Sequence, residues 1–282
     1  MEEYKVTAER ISAFGSHLLA EERVAGTREK YLRDLRAFAA FLGGQSVTKE
    51  QAAGWKEYLL NAGYQPATIN SMLAVLNSFF RFAGLEQCRV KYLRVQRRLF
   101  REQSKELSRE DYGRLIETAH ALGRERLALL IETIGSTGIR ASEVQYITAE
   151  AAKTGRAEIS LKGKIRTILL PSKLCRKLLK YAKKQKIASG EVFLTRSGKG
   201  LSRRQIWSEM KRLCQQAGVE ASKVFPHNLR HLFATIFYRA YKDIARLADV
   251  LGHSSLETTR IYLKTAGAEH VRQLDRLNLI LN

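Results

Sequence analysis

The sequence predicts a mainly α protein of two domains, with one small β-hairpin in the second. Three observations carry this. Apolar residues recur at three- and four-residue steps through the first hundred positions. The stretch from Ile159 to Leu170 alternates as strands do, and everything after Ser202 returns to helix-start signals and helical spacing. A chain of 282 residues is long enough for two domains that each bury a core.

The elements follow in order. Tyr31, Leu35, Phe38 and Leu42 form one helical stripe. Thr48 with Gln51 resembles a capping box, and Trp55, Tyr58 and Leu59 continue an apolar face behind it. Pro66 suits the first turn of a further helix whose stripe is Ile69, Leu73, Leu76 and Phe80, with Gly84 as its stop. These helices make a compact bundle over residues 1–88. Residues 89–106 read as a basic linker, and residues 107–282 as a second domain. That domain opens with Ser108 and Asp111 as a helix start. Leu127 to Ile134 reads as a buried helix ending in the turn cluster Gly135-Ser136-Thr137-Gly138, and Ile139 to Glu143 begins another. Ile159 and Leu161 lie before the basic tip Lys162-Gly163-Lys164, and Ile165, Thr167 and Leu169 after it, as a short hairpin. Ser202 with Gln205 caps a basic helix, and Val271, Leu274, Leu277 and Ile280 form an amphipathic tail.

The charge balance narrows the function. The net charge is +21, of which residues 1–104 carry +5 and residues 105–282 carry +16. Such a surplus points to a polyanion, nucleic acid before an anionic membrane. No apolar run approaches the roughly 20 residues that span a bilayer, and the start lacks a signal peptide's basic head and apolar stretch, so a cytoplasmic location is expected. Cys88, Cys175 and Cys214 have no ligand spacing and read as reduced structural thiols. Arg89, Lys91, Arg94, Arg97, Arg98 and Arg101 form a run with no acid, which reads as a strap across a phosphate backbone.

Three short motifs carry the chemistry. In Pro226-His227-Asn228-Leu229-Arg230-His231, His227 and Arg230 are three apart and share a helix face. In Leu251-Gly252-His253, the glycine permits a tight bend beside the histidine, and Tyr262 follows His253 by nine residues after Ser and Thr suited to capping. In Thr137-Gly138-Ile139-Arg140, an arginine follows a glycine turn. Singly, each is more often a packing or surface feature. In this order, the glycine-flanked Arg140, a hairpin lysine, His227-x-x-Arg230, Gly252-His253 and Tyr262 resemble the tyrosine recombinase family of phage integrases and Xer-like enzymes. Thr27 to Leu35 and Thr68 through Phe82 are similar to its N-terminal domain, so the resemblance covers nearly the whole chain.

The resemblance implies a helical, SAM-like core-binding domain followed by an α+β catalytic domain. It implies a site-specific recombinase that cuts and rejoins DNA through a covalent 3′-phosphotyrosine on Tyr262. A tyrosine hydroxyl ordinarily ionises near pH 10 and needs activation. Guanidinium groups grip phosphate through paired donors, so Arg140 and Arg230 suit a two-sided clamp, with no metal, ATP or other cofactor expected. By resemblance Lys162 protonates the departing 5′-hydroxyl, with Lys164 as the competing candidate. His227 serves as base or phosphate ligand, His253 donates to the scissile phosphate, and Glu143 and His231 support. The partner is double-stranded DNA carrying core sites, bound by four protomers on two sites, with the tail after Lys264 docking on a neighbour or packing back on its own domain. Arg203, Arg204, Lys211 and Arg212, on one basic helix, are the expected DNA contacts beside the strap. A type IB topoisomerase and a non-catalytic DNA-binding protein are the competing readings.

Overall fold

The first element is a helix that the stripes above leave out. In a computed structural model, which describes residues 3–94, 106–161, 164–253 and 255–263, α1 spans Ala8–Ala20. The Thr7 hydroxyl accepts from the Arg10 N–H, and Ile11, Phe14 and Leu18 face inward. Helices α2 (Ala25–Leu42), α3 (Lys49–Asn61) and α4 (Pro66–Phe82) follow. Gly43 ends α2 in the left-handed region at φ 55°, where only glycine is unstrained. Thr48 caps α3 through the Gln51 N–H at 3.1 Å, and Pro66 opens α4. The expected stripes are buried in one core, with Phe14, Phe38, Phe79 and Phe80 at its centre. Tyr58 is the exception. It is half exposed and stacks on the outer side of Trp55.

Beyond α4 the chain runs extended along that helix, held by two asparagines. Asn77 donates to the Val90 carbonyl and accepts from its N–H, both at 2.9 Å. Asn70, two turns earlier, treats Leu93 the same way at 2.9 and 2.8 Å. Each side-chain amide thus acts as a strand edge would. Arg89, Lys91 and Arg94 point to solvent. Arg97, Arg98 and Arg101 lie outside the described residues.

The chain divides into two compact units, Met1–Arg97 and Arg98–Asn282. The second begins with α5 (Arg109–Ala121), opened by a full capping box of Ser108 and Asp111. Next, α6 (Glu125–Thr137) is buried on nearly every side. Gly135 and Ser136 continue α6 instead of breaking it, because Tyr112 packs over Gly135 and leaves no room for a side chain there. The turn is Gly138 alone, at φ 66°. A 3₁₀ turn over Ala141–Tyr146 and α7 (Ala149–Thr154) lead to β1 (Arg156–Leu161) and β2 (Lys164–Leu169). The strands pair antiparallel, from Arg156 opposite Leu169 to Leu161 opposite Lys164.

The hairpin forms where expected, but the facing of β2 is the reverse of its apolar pattern. Ile165 and Leu169 stand in solvent, while Arg166 and Ile168 turn inward. Aliphatic residues occupy both faces of β2, so alternation alone cannot choose between them. Then come α8 (Ser172–Lys184), α9 (Arg203–Gln216), α10 (Pro226–Tyr241), α11 (Ile244–Leu251), α12 (Leu256–Thr259) and a 3₁₀ turn over Arg260–Leu263. Ser202 and Gln205 form the expected capping box of α9. The three cysteines are free and buried. No described helix is long and apolar enough to cross a membrane. The tail stripe from Val271 to Ile280 lies outside the described residues.

Candidate active site

Arg230 is the centre of the site. It projects from α10 into the interior and is 2% exposed. One terminal nitrogen donates to the Gly138 carbonyl at 2.5 Å, the other to the Leu251 carbonyl at 2.9 Å. The second also donates to His253 Nε2 at 2.9 Å, and the Tyr262 phenol lies close enough to the guanidinium to act on its charge. No carboxylate pairs with it among these contacts. Burial brings its pKa down to about 10, helped by the positive charge of Arg140, while Tyr262 pulls the other way. It therefore stays charged at neutral pH, a buried cation with no carboxylate against it among the described residues.

The glycine turns make this possible. A Cβ on Gly138 would strike the Phe233 ring and Leu251, which close over the turn. With φ at 66° as well, only glycine lets that carbonyl meet Arg230. Gly252, at φ 64°, bends the chain after α11 and sends His253 back toward Arg230.

The protonation pattern of His253 follows by elimination. Arginine has no acceptor, so Nε2 must accept from Arg230. Nδ1 then carries the hydrogen and donates to Thr259 Oγ1 at 2.8 Å, a fully buried hydroxyl. Burial and the nearby cations Arg230, Arg140 and Arg166, together with His227, lower the His253 pKa to about 4. The ring is neutral at pH 7.

Tyr262 is 4% exposed and lies in the last described turn. Its ring stacks on His253 with centroids 6.0 Å apart and meets His231 edge-on at 4.8 Å. His231 Nδ1 lies 3.3 Å from the Thr235 hydroxyl. His227 is exposed in the first turn of α10.

Arg140 follows the Gly138 turn and is held by Glu143. Its backbone N–H donates to one carboxylate oxygen at 2.7 Å, and its guanidinium to the other at 2.9 Å. The Arg140 side chain is nearly half exposed, whereas Glu143 is almost wholly buried. Glu143 also accepts from Arg166 at 2.6 Å. Burial would raise the Glu143 pKa, but the Arg140 N–H and the two guanidinium groups outweigh it and hold the carboxyl below its ordinary value.

Arg140, Arg230, His253 and Tyr262 thus converge, with Glu143, His227 and His231 around them. Lys162 lies outside the described residues, as does the side chain of Lys164. On α9, Arg203 and Arg204 are exposed beside Trp207, which is 51% exposed, and Lys211 sits 5.5 Å from that indole. Arg212, nine positions after Arg203, is about half a turn round the helix. It bonds to Ser208 and lines a different cleft with Arg126 and Glu209. Two site residues were not foreseen. Thr259 carries no distinguishing signal. Arg166 could have been found only by noticing that it shares the inward register of Ile168.

The chain matches the phage integrase family over residues 105–269 and the phage integrase N-terminal SAM-like domain over residues 11–87. It is 30% identical to tyrosine recombinase XerA of Pyrococcus furiosus over 293 aligned positions, covering 100% of this chain and 98% of that one. It is likewise 30% identical to tyrosine recombinase XerD of Brucella suis over 275 positions, 87% of this chain and 89% of that one. Among solved structures, the Tn1549 transposon integrase in complex with transposon right-end DNA superposes with a TM-score of 0.73 at 17% identity, covering 95% of this chain and 99% of that one. A lambda integrase dimer bound to a core site gives 0.72 at 16%, covering 92% and 77%. At those identities the structures speak for the fold alone.

Proposed function

We propose, for a chain that belongs to the phage integrase family and is a tyrosine-type site-specific DNA recombinase, that Tyr262 attacks the scissile phosphate and holds the cut strand as a 3′-phosphotyrosine. One observation carries the assignment. Arg230 donates to the His253 ring and to the carbonyls of Gly138 and Leu251, with the Tyr262 phenol beside the same guanidinium. That arrangement holds the nucleophile against a cation suited to phosphate.

Tyr262 Oη joins phosphorus as the P–O5′ bond breaks. The phenolic proton passes to His227, and the departing 5′-oxygen takes one from Lys162, or from Lys164 on the same hairpin. Arg140 and Arg230 neutralise charge growing on the non-bridging oxygens. Attack by the 5′-hydroxyl of another strand reverses these steps, so rejoining consumes no nucleotide. His253 is neutral with Nε2 as acceptor, so donating to the phosphate requires that it take up a proton there, which the phosphate charge favours.

The substrate is double-stranded DNA bearing core sites, worked on in the cytoplasm by four protomers on two sites. Residues 1–88 serve as the core-binding domain, 89–106 as the linker and 107–282 as the catalytic domain. Arg89, Lys91, Arg94 and the cations to Arg101 contact the backbone, as do Arg203, Arg204 and Lys211 on α9. A nicked duplex that loses its downstream fragment after cleavage tests the reading. The natural protein accumulates a covalent protein–DNA adduct, and Tyr262→Phe yields none while still binding the duplex. Adduct formed by Tyr262→Phe at the natural rate would refute it.

A further inference from the structure

We infer that Arg166 is a positioning residue that locks the β-hairpin carrying the leaving-group acid to the loop carrying His253 and to the Arg140 clamp. The inference rests on the recombinase reading. It starts from a side chain in the wrong place for its chemistry. Arg166 lies mid-strand on β2, where the inward neighbour Ile168 is apolar, and its side chain is 16% exposed. Burying a guanidinium is unfavourable unless its donors are used.

Its two terminal nitrogens tie together three elements, while Nε, also buried, has no hydrogen-bond partner among the described residues. One terminal nitrogen gives to Glu143, in the 3₁₀ turn after α6, at 2.6 Å. The other gives to the Val250 carbonyl at the end of α11 at 3.2 Å. The next carbonyl, Leu251, is taken by Arg230. Two arginines from different elements therefore hold consecutive carbonyls at the negative end of α11, with only Gly252 between them and His253. Gly252 is part of the lock, since a Cβ there would run into the Arg166 side chain. Glu143 in turn fixes Arg140 through its N–H and its guanidinium.

The arrangement gives Arg166 a role distinct from the clamp. Among the described residues its hydrogen bonds go to Glu143 and Val250 and not to Tyr262, and its charge reaches Arg140, Arg230 and His253 only through space. It lies two residues after Lys164, the first residue of β2, and four after Lys162 in the sequence. Loss of Arg166 frees that strand from Glu143 and from α11, and the step that suffers is proton delivery to the 5′-oxygen. Lysine is no substitute, because a single ammonium cannot reach Glu143 and the Val250 carbonyl in the geometry of a planar fork.

The experiment compares leaving groups. Single-turnover cleavage is measured on a nicked duplex with the ordinary bridging 5′-oxygen, and on the same duplex with sulfur in that bridge. Thiols ionise near pH 8.5, far below alcohols, so a thiolate departs without a proton. For Arg166→Ala the expected loss is about 100-fold on oxygen and less than about tenfold on sulfur, within the range ascribed to general acids. Arg166→Lys gives the same selectivity with a smaller loss, and serves as the readout if the alanine variant fails to fold. Equal losses on the two substrates, or no loss on oxygen, overturn the inference while leaving the recombinase reading intact. A natural protein that cleaves neither substrate overturns both.

Discussion

In the first unit almost everything buried is hydrocarbon. Phenylalanine, leucine and Trp55 fill the space between four helices, and among the described residues the two buried polar side chains are partnered. Asp34 takes Lys30 at 2.5 Å and Arg33 at 2.9 Å, and Asn77 is spent on the Val90 backbone. In the second unit an apolar core of α6, α8, α9 and α10 lies beside a polar one. There Arg230 is the largest of the fully buried side chains, accompanied by Glu143, His231, Asn228 and Thr259. The first core follows the rule that burial stabilises, at about 25 cal/mol per Å². The second contains a cation whose desolvation lowers stability. A fold keeps such a group where chemistry requires it.

Emptying one core and neutralising the other separates the two units most sharply. Leu73→Ala should lower stability by about 2–5 kcal/mol through lost contacts and a cavity, measured by urea unfolding. Arg230→Met should abolish strand cleavage yet shift stability by less than about 2 kcal/mol. Two carbonyls lose a donor, but a buried charge and its repulsion with Arg140 disappear. If Arg230→Met unfolds the protein as Leu73→Ala does, Arg230 is a structural strut and the contrast collapses.

A smaller effect follows from His253. Folding lowers its pKa from 6.5 to about 4, so between those values the unfolded chain binds the extra proton. The stability that His253 contributes is complete above pH 6.5 and declines as pH falls toward 4. His253→Gln should remove that part of the pH dependence, read from melting temperatures across pH 4–7. A ring that titrates near 6.5 in proton NMR would contradict the assignment of Nε2 as a neutral acceptor.

The smallest effect uses the two tryptophans, one in each unit. Trp55 is 3% exposed and Trp207 51% exposed on the basic face of α9. Acrylamide should quench Trp207 and spare Trp55, and duplex DNA should protect Trp207. Trp207→Ala should weaken DNA binding by about tenfold, the scale of one good aromatic contact. Quenching unchanged by DNA would remove α9 from the interface.

The same contrast governs what could be read from the sequence. The first core is legible because its apolar residues repeat with the helix, and Pro66, Thr48 and Gly84 mark the ends. Even α1 carries its signal in Thr7, Ile11, Phe14 and Leu18. The site is legible at Arg140, Arg230, His253 and Tyr262 only because their order matches a family. No local pattern says that Arg230 is buried, since arginine on a helix ordinarily faces water. Gly135-Ser136 reads as a turn, but packing of Tyr112 keeps it helical. Arg166 is the clearest case. A cation between Ile165 and Thr167, on the side opposite the Ile165/Leu169 stripe, reads as the solvent face of a strand, and only the partners Glu143 and Val250, distant in the chain, invert it.

Tyr262 is the proposed nucleophile at the polar core. Covalent adduct on a duplex labelled at the scissile phosphate, digested with protease and sequenced by mass spectrometry, tests it directly. The label is predicted on the peptide containing Tyr262, with the phosphate on its phenolic oxygen. Label on any other residue would contradict the account.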